Sequence, residues 1–183
     1  MKVGILTWSV DVAALAQRAE ALGFDASWVP EHTATPVHIA PKTTTLRLHL
    51  EPDGAPQPLY RSGTFANPFI TLAWASAVTQ TIKLGTGVCL VPEHHPLLLA
   101  KQVATLDNFS GGRFLFGIGA GWLNEETAIM GGDLAYRWGQ TREAILAMKA
   151  LWSKDAAEFH GKYYVFPPVI SFPMPVQQPH PPI

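Results

Sequence analysis

The chain has 183 residues, 48% of them hydrophobic and 15% charged, which is long and apolar enough for one buried core and excludes a disordered chain. Its formal net charge is −1, so no electrostatic case exists for nucleic acid or a membrane surface as a partner. The single cysteine, Cys89, excludes an internal disulfide framework and fits a reducing cytoplasm.

Lys2 to Thr7 reads as a first strand, and Asp11 breaks the N-terminal apolar run too early for a signal peptide. Asp11 is placed to cap a helix with Val12, Leu15, Ala16, Ala19 and Leu22 along one stripe, ended by Gly23. Ala26 to Pro30 is a second strand, tipped by Glu31 and His32. Residues 33–67 carry five prolines and a polar middle, with Leu46 to Leu50 as a possible small strand. A connection of that length reads as a functional loop, here a lid over the mouth of the fold. Pro68 opens a helix to about Thr79 with Ile70, Ala73, Trp74 and Ala77 on one face.

The stretch from Ile82 to Trp122 organises the chain. Ile82 to Val88 is an apolar strand ending in Gly85-Thr86-Gly87. Pro96 starts a helix, where its missing N–H costs nothing, and Leu99, Val103 and Leu106 repeat at helical spacing. Ser110-Gly111-Gly112 stops that helix. Arg113 to Gly117 is a second apolar strand, followed by Gly119 and Gly121. Two strands joined by a helix lie parallel with a right-handed crossover. Ligands of parallel α/β folds bind at the C-terminal strand ends, where glycine lets a backbone approach a bound ring closely.

Asn124 to Met130 reads as a short helical turn and Leu134 to Trp152 as a longer helix, with Trp138, Thr141, Ile145, Met148 and Trp152 in step. Ala157 to Phe166 reads as a hairpin turning at Gly161, and the last 17 residues, with seven prolines, as irregular chain. Four βα units in a row make either the first half of a closed (β/α)8 barrel or a small open sheet.

Val-Pro-Glu-His occurs twice, at Val29 to His32 and at Val91 to His94. The first copy sits on a strand end, where an imidazole suits general acid/base work. In extended backbone Glu31 points away from His32. His94 and His95 read more simply as loop and helix-start histidines. No HxH or HExxH spacing marks a metal site, so none is expected. Gly117 to Gly121 has the spacing GxGxG, not that of a dinucleotide fingerprint, and neither GxxxxGK[ST] nor GxSxG occurs. Cys89 lies in an apolar strand end with no activating neighbour in sequence.

SWVPEH, the run from Ile82 to Trp122 that includes LAKQVATLDNFSGGRF, and the tail from FHGKYYVFPPV to PMPVQQPHPPI together resemble the luciferase-like monooxygenase superfamily. Within it the likeness is nearest to oxidoreductases that use the deazaflavin coenzyme F420. The resemblance implies an α/β fold, a partial TIM (β/α)8 barrel of the first four βα units plus a small hairpin and a Pro-rich tail. Residues 1–183 would be a single domain with 33–67 as a lid. It implies that His32 is the catalytic acid/base with Glu31 as the neighbouring acid. Thr86, Gly87, Val88, Gly119, Ala120 and Gly121 would bind the cofactor, with a non-proline cis peptide at Gly87–Val88. The helices after the second and third strands would form a homodimer interface. The expected activity is hydride transfer between F420 and a small organic substrate, an alcohol or an activated alkene or carbonyl. The alternatives are an FMN-dependent monooxygenase of the same superfamily, a non-catalytic fragment that dimerises or binds cofactor weakly, and a metal-dependent barrel hydrolase.

Overall fold

A computed structural model describes residues 1–37 and 65–183. The possible strand at 46–50 and most of the expected lid lie outside the described residues. Four short strands, β1 (Gly4–Leu6), β2 (Ala26–Val29), β3 (Lys83–Thr86) and β5 (Phe114–Leu115), form one parallel sheet in the order β1-β2-β3-β5. A second, two-stranded parallel sheet pairs β4 (Cys89–Leu90) with β6 (Ile118–Gly119). The apolar runs expected as single strands from Ile82 and from Arg113 therefore each divide in two. The first breaks at Gly87–Val88, whose peptide is cis as the resemblance implied. The second breaks around Phe116–Gly117, where the Gly117 carbonyl accepts from the Thr86 hydroxyl at 2.7 Å and the Cys89 N–H at 2.8 Å.

Register fixes which side chains share a face. Ile5, Ser27, Leu84 and Phe114 stand in one row, and the alternation of the pleat puts Val29 and Thr86 on the same side. That side meets the helices. Leu84, Val29 and Phe114 join Leu72, Leu99, Val103, Leu106 and Met148 in one buried core. The opposite face carries Gly4, Trp28, Gly85 and Leu115. Trp28 lies across it: a Cβ at Gly4 would come 2.8 Å from the indole nitrogen, and one at Gly85 would overlap the six-membered ring.

The helices are α1 (Val12–Ala21), α2 (Pro68–Val78), α3 (Pro96–Phe109), α4 (Asn124–Ile129) and α5 (Arg137–Ser153). Two expected faces are corrected. In α1 the buried stripe is Val12, Ala13, Ala16 and Ala19, while Leu15 and Leu22 are exposed; the small residues allow a close approach to neighbouring α2. Asp11 precedes α1 but its side chain makes no capping hydrogen bond. In α2 the face is reversed: Phe69, Leu72 and Ala75 are buried, and Ile70 and Trp74 are exposed. That helix is apolar nearly all round, so its period has no unique phase. Its start is fixed by Asn67, whose side chain accepts from the N–H groups of Phe69 and Ile70. Helix α5 begins at Arg137, later than expected, and Trp138 is exposed.

The hairpin is present as β7 (Ala157–His160) and β8 (Val165–Val169), antiparallel, with Gly161 N–H donating to Tyr164 O at 2.9 Å. Glu143 of α5 staples its tip by accepting the N–H groups of Lys162, Tyr163 and Tyr164. A second staple, Glu20, accepts the N–H groups of Gln80, Thr81 and Ile82 ahead of β3. The proline-rich tail is irregular but anchored. Buried Asp107 accepts both the backbone and the side-chain amide of Gln177, and Phe116 N–H donates to Pro182 O along the β5 edge.

Candidate active site

The site is built where β2, β3 and the segment after β6 end. Parallel pairing aligns Val29 with Thr86, and the Gly87 N–H continues the ladder to the Val29 carbonyl at 2.7 Å. His32 lies three residues beyond Val29. Its Nδ1 meets Glu126 Oε2 at 2.6 Å. Oε1 of the same carboxylate accepts the N–H groups of Thr33 at 2.7 Å and Ala34 at 3.0 Å. Glu126 sits in the first turn of α4 and is fully buried. It fixes both the imidazole, through Nδ1, and the chain that follows. The ring is flanked edge-on by Phe65 at 5.2 Å and Trp122 at 6.0 Å between centroids. Through Trp122, His32 meets the chain just past Gly119 to Gly121.

Glu31 does something else. It is buried, its Oε2 accepts the Leu90 N–H at 2.7 Å, and both its oxygens lie 3.0 Å from His94 Nε2. Burial pushes the carboxyl up, but His94, the Leu90 N–H and the Cys89 thiol together hold it below the ordinary carboxylate value. Glu31 therefore ties the end of β2 to β4. The Cys89 thiol, fully buried and facing Glu31, is pushed well up by burial and by the charges of Glu31 and Glu93.

Between the two pairs stands Glu93. Burial, reinforced by repulsion from Glu126 and Glu31, raises its carboxyl to about 8. Its Oε1 lies 3.4 Å from the Thr127 hydroxyl, and its buried Oε2 has no hydrogen-bond partner among the described residues. The two copies of Val-Pro-Glu-His are thus interlaced: the acid of the first takes the histidine of the second.

The glycines expected to receive a ligand are in contact with the protein itself. A Cβ at Gly117 would overlap the Thr86 carbonyl, one at Gly119 would come 2.6 Å from Val88 Cγ2, and one at Gly87 would come 3.3 Å from Leu6 and Trp28. Gly121 has φ +77°, which favours glycine. Val88 remains 40% exposed, with its side chain packed against Gly119. Sequence reading missed Glu126. Its signal was a pair of acids in the first turn after the glycine run, Asn124-Glu125-Glu126, which ordinary helix-dipole preference also explains.

Comparison with known proteins places nearly the whole chain in a family. The family model for luciferase-like monooxygenases matches residues 10–183. An uncharacterized protein of Mycobacterium tuberculosis is 41% identical over 172 residues, covering 93% of this chain and 58% of that protein. The oxygenase component of a flavin-dependent trigonelline monooxygenase from Acinetobacter baylyi is 34% identical, covering 92% of this chain and 40% of that protein. An F420-dependent glucose-6-phosphate dehydrogenase from Kineococcus radiotolerans is 31% identical, covering 84% of this chain and 40% of that protein. Among solved structures, monooxygenase RslO1 from Streptomyces bottropensis superposes with a TM-score of 0.78 at 27% identity, covering 99% of this chain and 52% of that one. The chain thus spans between two fifths and three fifths of the length of these proteins. On the match over nearly its whole length, this chain belongs to the luciferase-like monooxygenase family.

Proposed function

We propose that this chain is part of an F420-dependent oxidoreductase that moves hydride between the deazaflavin and an alcohol, or an activated alkene or carbonyl, with His32 as the acid/base. The observation that carries this reading is the His32–Glu126 pair at 2.6 Å on the strand-end rim. A carboxylate on Nδ1 orients the ring, so on this reading His32 takes a hydroxyl proton as an alcohol is oxidised and returns it in the reverse direction. Thr86, Gly87, Val88, Gly119, Ala120 and Gly121 would hold the cofactor ring. The exposed Val88 side chain and the absence of any at Gly119 fit a planar, apolar face there. When bound, a deazaflavin supplies hydride chemistry; the protein supplies position, a dry rim and the proton.

On this reading the four-stranded sheet is the first part of a (β/α)8 barrel and the rim its C-terminal mouth. The F420-dependent relative supports the choice of cofactor. A second reading, an FMN-dependent monooxygenase, is favoured by the flavin-dependent relative of higher identity. We also propose a homodimer through α2 and α3. Ile70, Trp74 and Leu98 are exposed there, and an apolar groove of about 330 Å³ runs between the helices, lined by Phe69, Ile70, Ala73, Thr105 and Leu106.

Titrating the purified chain separately with F420 and with FMN tests the reading. Saturable binding of F420 with reduction in the presence of a secondary alcohol supports it. Binding of FMN alone transfers it to the monooxygenase, and binding of neither supports the non-catalytic alternative. Light scattering on wild type and Trp74→Glu tests the dimer: a dimer that the variant converts to monomer is expected.

A further inference from the structure

Three donors of different chemistry converge one step behind the rim. Cys89 Sγ, His94 Nε2 and a Glu31 carboxylate oxygen lie within 4.8 Å of one another. The mechanism above uses none of them. They come from separate segments held in place by backbone: Glu31 follows β2 and grips Leu90 N–H, Cys89 pairs with Ile118 in the second sheet, and His94 follows the single turn Val91–Glu93.

We propose that Cys89, His94 and Glu31 form a binding site for a zinc-class divalent cation, distinct from the cofactor rim and independent of the cofactor reading. Thiolate, imidazole and carboxylate are the ligands zinc takes, at roughly 2.0–2.3 Å, which sets donor–donor edges of roughly 3.3–3.6 Å. The Glu31–His94 edge, at 3.0 Å, is shorter than that, so the site opens slightly between these two and closes on an ion by a shift of the thiol. One thiolate and one carboxylate balance a dication, and the thiol proton leaves to solvent as the ion binds. Sulfur and imidazole disfavour magnesium and calcium, which take oxygen ligands. A second observation points to the same place. Glu93, 5% exposed and next to His94 in sequence, carries the unpartnered Oε2. The His94 ring is 13% exposed and opens the cluster to solvent.

The test is a titration of the metal-free full chain with cobalt(II), followed by competition with zinc(II). One equivalent of cobalt with a thiolate charge-transfer band in the near ultraviolet, displaced by zinc, is the expected result. Cys89→Ser should remove the band and weaken zinc binding roughly tenfold or more, and His94→Gln should weaken it comparably. A variant of the exposed His160 should bind as wild type. Cobalt bound without the thiolate band, zinc binding unchanged in Cys89→Ser, or no binding at all would each overturn the site. The wild-type band decides the matter even if a variant fails to fold. Because F420 and FMN are absent from this titration, its failure is separable from failure of the cofactor reading.

Discussion

The same four residues, Val-Pro-Glu-His, end two strands and build two different histidine–carboxylate pairs. In the first copy the histidine, His32, faces the rim and draws its carboxylate, Glu126, from a helix 94 residues away. In the second copy the histidine, His94, turns inward onto Glu31 and joins β2 to β4. The difference is one of distance from the strand end. His32 is placed directly by β2, whereas His94 comes after a further short strand and a turn that carry it behind the rim. An identical local motif therefore faces the rim in one place, where we propose a chemical role, and ties two strands together in the other, and only the topology distinguishes them.

The comparison breaks most sharply at His32. His32→Asn keeps a donor for Glu126 but removes the basic nitrogen. Turnover of the F420-linked oxidation is expected to fall by about 10²–10⁴-fold with the melting temperature nearly unchanged. A fall in stability without a loss of rate would make the first pair as structural as the second. Glu126→Gln comes next. It removes the charge from a fully buried group that serves His32, Thr33 and Ala34, and is expected to cost about 2–4 kcal/mol in urea unfolding. Glu31→Gln should cost about 1–3 kcal/mol, through Leu90 and His94, with a loss of kcat at least roughly tenfold smaller than that of His32→Asn. Equal losses of kcat would merge the two pairs into one machine.

The smallest effect supplies the reference: a carboxylate with no histidine at all. Burial pushes Glu20 up, but the N–H groups of Ile82, Thr81 and Gln80 outweigh it and hold the group at about 2, below the usual 4.5. A depressed folded value stabilises the native state above the unfolded value and ceases to do so as pH falls through the folded one. Glu20→Gln is therefore expected to cost about 1–2 kcal/mol at neutral pH and less towards pH 2, read from acid unfolding curves of the two proteins.

Much of this arrangement was legible in the residues. Prolines at 68 and 96 start helices where they stand, Gly161 turns a hairpin, and the alternation of apolar runs with helical stripes announces a parallel sheet. His32 was identifiable because a strand end puts it there. What escaped was what depends on partners distant in sequence. Ile70 and Trp74 match a helical stripe as well as Phe69, Leu72 and Ala75 do, and only the neighbouring helices decide which is buried. Glu126 looks like any acid in a first helical turn until His32 is brought beside it. Cys89 looks inert because Glu31 and His94 reach it only through the pairing of strands.

Trp28 ties several positions to one another. Its indole needs glycine at 85, crowds any larger residue at 4 and touches the space above 87. These sites are free to vary only as a set. Relatives with a smaller residue at the tryptophan position should admit alanine or serine at the others, whereas those that keep the indole should not. A substitution library made at position 85 alone would return almost nothing folded, yet the same library paired with Trp28→Leu should recover a population of stable proteins.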